Sequence, residues 1–131
     1  MFADTVTLAL PTAGNKPVTF ISRNGTLATK NGVQAEYMST DQDYRLFISH
    51  VQVGTGKTAR YRSLIKVTRR KVASDVLTSV NEYKEAVFHT VVDRPVEGFT
   101  EAELLDTWTG FITLQTASTY ANAAKILRLE S

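Results

Sequence analysis

The sequence predicts an α+β fold: an N-terminal β-hairpin plus an antiparallel sheet, followed by two C-terminal helices. Three observations predict it. Residues 5–92 fall into about six stretches in which polar and apolar side chains alternate, the period of a strand. Turn-forming dipeptides, Asn24-Gly25 and Asn31-Gly32 among them, separate these stretches. Beyond Pro95 the apolar spacing becomes helical. Strands grouped before helices are the pattern of an α+β protein.

The first strand is Thr5 to Leu10, and Pro17 to Ile21 returns beside it after a turn at Pro11 to Lys16. A polar loop, TLATK, lies between the two Asn-Gly dipeptides, and a third strand covers about Val33 to Met38. Two long strands follow, Tyr44 to Val53 and Arg60 to Arg70, joined at Gly54-Thr55-Gly56. Val72 to Val80 reads as a loop, and Glu82 to Val92 as the last strand, stopped by Asp93-Arg94-Pro95. Thr100 with Glu103 is a capping box that opens a helix. Leu104, Trp108, Phe111 and Ile112 share its apolar side. A break near Ala117-Ser118-Thr119 precedes a second helix, Tyr120 to Leu129, with Ile126 and Leu127 apolar. The chain of 131 residues is expected to be one domain, with a hairpin at about 4–22, a sheet at about 32–93 and helices at about 100–129.

Charge is distributed unevenly. The net charge is only +2, yet residues 57–71 hold seven of the fifteen Lys and Arg, and no Asp or Glu stands between Asp43 and Asp75. The acids gather later, at Glu97, Glu101, Glu103 and Asp106. Such segregation concerns binding more than fold. Alternation puts Arg45, Phe47, Ser49 and Val51 on one face, with Leu46, Ile48 and His50 on the other. Likewise Arg60, Arg62, Leu64, Lys66 and Thr68 share a face, and Tyr83, Glu85, Val87, His89 and Val91 share another. Two readings of the basic row stay open here: a solvated edge that blocks aggregation, or a surface for a polyanion. Tyr83 is either a good strand former or a platform for an unpaired base. The two helices are too short to cover a wide sheet, so a second subunit is expected to complete the cover.

Several chemistries lack their residues. There is no cysteine, which removes disulfides and thiolate sites. His50 and His89 have no metal-ligand spacing, no nucleophile motif appears, and no cofactor is expected. Gly56-Lys57-Thr58 lacks the upstream glycine of a phosphate loop, since that position is Val51. No apolar run is long enough to span a membrane, and MFADTVTLAL lacks the basic start of a signal peptide.

The ordered set DTVTL, NGV, DYR–strand–GTGKTARYRSLIKV, NEYKEAVFHTVV and FTEAELLDTWTGFITL resembles the coat protein of the small single-stranded RNA bacteriophages. The resemblance covers essentially the whole chain. It implies an obligate dimer whose sheets join edge to edge and whose helices reach across to the partner, packing through Leu104, Trp108, Phe111, Ile112, Ile126 and Leu127. It further implies an icosahedral shell that forms in the host cytoplasm. The sheet face opposite the helices would bind genomic RNA and a hairpin operator, with repression of translation. On that face the resemblance places Arg45, Ser49, Arg62, Lys66, Tyr83 and Glu85, with Val33 at an adenine pocket, and strand alternation adds Arg60 to the RNA-binding set. Phe47 and Leu64 depart from the pattern, standing where some members present threonines to a bulged adenine. The loop Val72 to Val80 corresponds to one that changes conformation between shell environments. The expectation is therefore a structural protein and not an enzyme, located in the virion. The competing reading is a monomeric cellular RNA-binding module with a sheet platform.

Overall fold

Alternating side chains demand a pleated partner on each side, and the computed structural model supplies one through six strands joined in sequence order. It describes residues 5–10, 18–29 and 32–130, with the backbone alone for 24–29. The strands are β1 (Thr5–Leu8), β2 (Val18–Thr29), β3 (Gly32–Ser39), β4 (Tyr44–Val53), β5 (Arg60–Ser74) and β6 (Asn81–Pro95). They form one sheet in the order β1-β2-β3-β4-β5-β6, and every neighbouring pair is antiparallel. One helical element, α1 (Glu101–Leu127), follows. The chain divides into two compact units, Met1–Val96 and Glu97–Ser131.

Residues opposite one another on a ladder share a face. The registers therefore carry one apolar face across the sheet. Val6 pairs with Phe20, Phe20 with Ser39, Tyr37 with Leu46, Ile48 with Ile65 and Val67 with Phe88. Phe20, Tyr37, Leu46 and Ile48 are buried there, and Val6, Leu8, Val18, Ala35, Tyr44, Ile65 and Val67 pack against them. The core lies toward β2, β3 and β4. On β6 the same face thins out, and Phe88 stays 56% exposed.

Two expectations about element boundaries change. The strand expected at Pro17–Ile21 runs on to Thr29, so Asn24-Gly25 does not reverse the chain. Pairing with β3 continues on both sides, and the extra residues are absorbed as a register shift between Ser22 and Thr26. The first turn and Asn31 lie outside the described residues. The loop expected at Val72–Val80 shrinks to 75–80, because β5 and β6 pair without interruption as far as Ser74 and Asn81. Asp75 closes that turn: its carboxylate accepts from the Leu77 amide (2.8 Å), and its carbonyl accepts from the Ser79 amide (2.9 Å). The helical region α1 is interrupted at Ala117 to Tyr120, where the break between two helices is expected.

The capping box at its start is present. The Glu103 amide donates to Thr100 Oγ1 (3.3 Å), and the Thr100 amide donates to Glu103 Oε2 (2.8 Å). The helix then leaves helical geometry at Ala117 to Tyr120, where Ser118, Thr119 and Tyr120 all have positive φ. Left-handed backbone is unfavourable for residues with a Cβ. Thr107, Thr109, Thr113 and Thr116 each donate a side-chain bond to the carbonyl four residues back, which bends helices. Asn122 Nδ2 donates to the Leu114 carbonyl across the kink (2.7 Å).

The β3–β4 turn depends on one buried hydroxyl. Ser39 Oγ donates to Asp41 Oδ1 (2.5 Å) and accepts from the Tyr44 amide (3.1 Å). The Ser39 hydroxyl, and after it the Asp43 amide, hold the Asp41 carboxyl below the usual carboxylate range. Ser39→Ala removes both bonds of a buried group. It is expected to cost about 1–2 kcal/mol, read as a lower urea midpoint at fixed protein concentration. An unchanged midpoint would show that the turn does not depend on the hydroxyl.

Candidate nucleic-acid interface

The face opposite the core is assembled by the same registers. Across β3, β4, β5 and β6 its rows read Met38-Arg45-Thr68-Val87, Glu36-Phe47-Lys66-His89 and Gln34-Ser49-Leu64-Val91. A further row is Gly32-Val51-Arg62-Asp93, and beyond the Arg45 row Arg70 pairs with Glu85 and Val72 with Tyr83. Arg45, Ser49, Arg60, Arg62, Lys66, Tyr83 and Glu85 thus share one face, as alternation along each strand predicts.

Val33 does not join them. Its register partner is His50, on the face of Leu46 and Ile48, and Gln34 takes the place on the basic face. The period of a strand is two, so a one-residue difference in placement moves a side chain to the opposite side.

The expected row of cations is divided by a carboxylate. Asp93 Oδ1 accepts from Arg60 Nε (2.6 Å), and Asp93 Oδ2 accepts from Arg62 Nη2 (3.1 Å). The Asp93 carbonyl accepts a further bond from Arg60 Nη2 (3.3 Å). These hydrogen bonds, from Arg60 first, hold the Asp93 carboxyl below its usual range. Its folded pKa is depressed, so the pairing contributes fully above the unfolded value. It is lost only as pH falls through the folded value. At neutral pH the single Asp93 carboxylate therefore offsets one of the two charges of Arg60 and Arg62.

Positive charge outside these ion pairs lies further along β5. Arg45 makes no ion pair among the described residues, and its diagonal neighbours on β5 are Lys66 and Arg70. Diagonal neighbours sit about 7–8 Å apart. Two of these cations lie over aromatic rings: Lys66 Nζ is 5.4 Å from the centre of Phe47, and the Arg70 guanidinium is 4.4 Å from the centre of Tyr83. Tyr83 is 63% exposed. On β2, Arg23 joins the same face and donates toward Met38 Sδ (3.8 Å). The surface combines three closely set cations, two aromatic rings, and Ser49 and Gln34 as hydrogen-bonding groups. That combination suits a phosphate backbone with an unpaired base.

Alternation from Lys66 reaches Arg70 in four residues, so its face was legible in the sequence. Asp93 was not, because only the β5–β6 register brings it to residues more than thirty positions earlier. On the core face, His50 Nδ1 lies 2.9 Å from Ser63 Oγ, beside a cavity of about 330 Å³ also lined by Gln52, Tyr61 and Arg94. No carboxylate lines that cavity. Among the described residues no three His, Asp or Glu side chains gather as a metal site, and no helix is long and apolar enough to cross a membrane.

Several solved structures share this architecture. A virus-like particle of bacteriophage ESE058 superposes with a TM-score of 0.73 at 13% identity, covering 99% of this chain and 98% of its own. A virus-like particle of bacteriophage AVE019 gives 0.71 at 9% identity, over 96% and 94%. An unassembled bacteriophage coat-protein dimer, described as RNA-binding, gives 0.55 at 17% identity, over 97% and 94%. The chain has the RNA-phage coat-protein fold. No family model and no curated protein sequence matches it. The coat-protein fold thus spans nearly the whole chain at identities too low for side chains to be carried across, and the interface rests on this chain's own geometry.

Asp93→Asn frees Arg60 and Arg62. If both then reach phosphates, the log–log salt dependence of binding to single-stranded RNA should steepen by about 0.7 for each, with tighter binding at low salt. Fluorescence anisotropy across a salt series reads this directly. An unchanged slope would place the two arginines away from the phosphates.

Proposed function

We propose that this protein is the coat subunit of a small single-stranded RNA bacteriophage, a structural protein and not an enzyme. Two copies join along β6, and the dimers build an icosahedral shell around the RNA. The observation that carries the proposal is the coat-protein fold over the full chain together with a basic, aromatic-bearing sheet face.

The edge supports the dimer. β6 ends the sheet, and among the described residues its outer side has no partner. A long exposed edge is a template for pairing with another chain. Val87, Phe88 and Val91 are all about half exposed on it. None of the described residues of α1 is buried. Leu104 and Trp108 are partly covered, while Phe111, Ile112, Ile126 and Leu127 are exposed. In the proposed dimer these six meet the apolar face of the other copy. Antiparallel pairing of two β6 strands would also join the two basic faces into one surface.

On that surface Arg45 and Lys66 meet phosphates and supply most of the affinity. Tyr83 stacks an unpaired base, which gives a preference for loops over duplex. Phe47 and Leu64 offer no hydroxyl to a base, so recognition differs from that of a pocket lined by threonines. Binding to a hairpin at a start site would repress translation. Assembly would take place in the bacterial cytoplasm, with the virion as destination. The exposed tip residues Val76 and Leu77 are available for contacts between dimers.

Expression of the chain alone in bacteria, followed by electron microscopy and absorbance at 260 and 280 nm, tests the proposal. Uniform spheres rich in host RNA are expected. A nucleic-acid-free monomer would instead favour a cellular RNA-binding module. Tyr83→Ala should weaken hairpin binding by about 1–3 kcal/mol, the worth of one stacked base, while particles still form. Undiminished binding would remove Tyr83 from the site.

A further inference from the structure

Tyr83 does not present a bare ring. The Arg70 guanidinium lies 4.4 Å from its centre, close for such a stack. The two residues belong to neighbouring strands and share the basic face, with Arg70 opposite Glu85 and Tyr83 opposite Val72. Arg70 is itself anchored. Its backbone amide donates to the Asp43 carbonyl at 2.7 Å, which ties β5 to the start of β4 where the side chain departs. Its Nε is buried and has no hydrogen-bond partner among the described residues. A buried donor without a partner is costly, and the stack on Tyr83 is the contact that the guanidinium does make.

We infer that Arg70 is the positioning residue for Tyr83: it holds one face of the ring so that an unpaired RNA base stacks on the other. This rests on the reading of the basic face as an RNA interface. The physical argument has three parts. An exposed tyrosine has several rotamers to choose from, and a stacked planar cation selects one before the base arrives. Preorganisation of this kind lowers the cost of binding. Arg70 also stands across the ladder from Glu85, whose carboxylate would otherwise repel a nearby phosphate. Lysine cannot replace it, because an ammonium carries charge without a planar stacking surface.

The test compares a labelled RNA stem-loop carrying four unpaired adenines with the blunt duplex of the same stem. Unassembled protein is titrated by fluorescence anisotropy, and the readout is the ratio of the two affinities. Tyr83→Ala and Arg70→Ala should each reduce that loop preference about ten-fold, within the range for one stacked base. The double variant should be no worse than Tyr83→Ala alone. Arg70→Lys should keep duplex affinity and still lose loop preference, and it carries the test if Arg70→Ala fails to fold. Equal losses on both RNAs would make Arg70 a phosphate contact only and overturn the inference. Additive losses in the double variant, or loop preference preserved in Arg70→Lys, would overturn it too. Failure of the unaltered protein to bind either RNA would overturn the RNA interface itself.

Discussion

The unbroken ladder between β5 and β6 is the constraint on which the rest of this structure depends. Fifteen consecutive residues of one strand face fifteen of the other, from Arg60 opposite Pro95 to Ser74 opposite Asn81. The side-chain period along both strands is two, so this single register settles the character of both faces. It puts Lys66, Arg70 and Tyr83 with Arg45 on one side. It leaves Ile65, Val67 and Phe88 for the other. A slip of one residue on β6 would move Tyr83 to the apolar face and Phe88 among the cations. Specification is strong because Val67 and Ile65 also pack on the β4 side, where Leu46 and Ile48 are buried.

Electrostatics on the basic face follow from the same register. Asp93 enters beside Arg60 and Arg62 because β6 returns antiparallel, and it pairs with both at the end of β5 nearest the Gly54–Gly56 turn. In the opposite half Glu85 stands across from Arg70 and Glu36 lies in the row of Lys66, but among the described residues neither forms an ion pair with them. There, Lys66 and Arg70 lie over Phe47 and Tyr83 rather than against carboxylates in ion pairs. Aromatic contacts of this kind hold a cation in place without cancelling its charge. The face is thus polarised along the strands, with its available positive potential concentrated where an aromatic ring is also exposed.

Burial is correspondingly one-sided. Four side chains form the buried core cluster, all from β2, β3 and β4. β6 and α1 contribute none, and they carry exposed Phe88, Leu105, Phe111 and Leu114. Soluble monomers rarely expose apolar surface in such quantity without a use for it. In the proposed dimer this surface becomes interior, and stability of the subunit becomes inseparable from association. The kink at Ala117–Tyr120 belongs to the same economy. Three successive residues in left-handed backbone are tolerable where later contacts compensate for them.

The sequence by itself determined the strand count, the hairpins, the capping box at Thr100 and the sharing of a face by residues along each strand. Those are local properties: Cβ atoms alternate within one strand whatever stands beside it, and a capping box closes within four residues. The position of a break near Ala117 was legible for the same reason. Extension of β2 through Asn24-Gly25 was not, because pairing with β3 overrode a turn-forming dipeptide. Only the tertiary structure decided that Val33 lies on the core-side face and Gln34 with the cations, that Asp93 pairs with two arginines, and that Arg70 covers one side of Tyr83. Each of these is a contact between strands, set by a register that no single strand encodes.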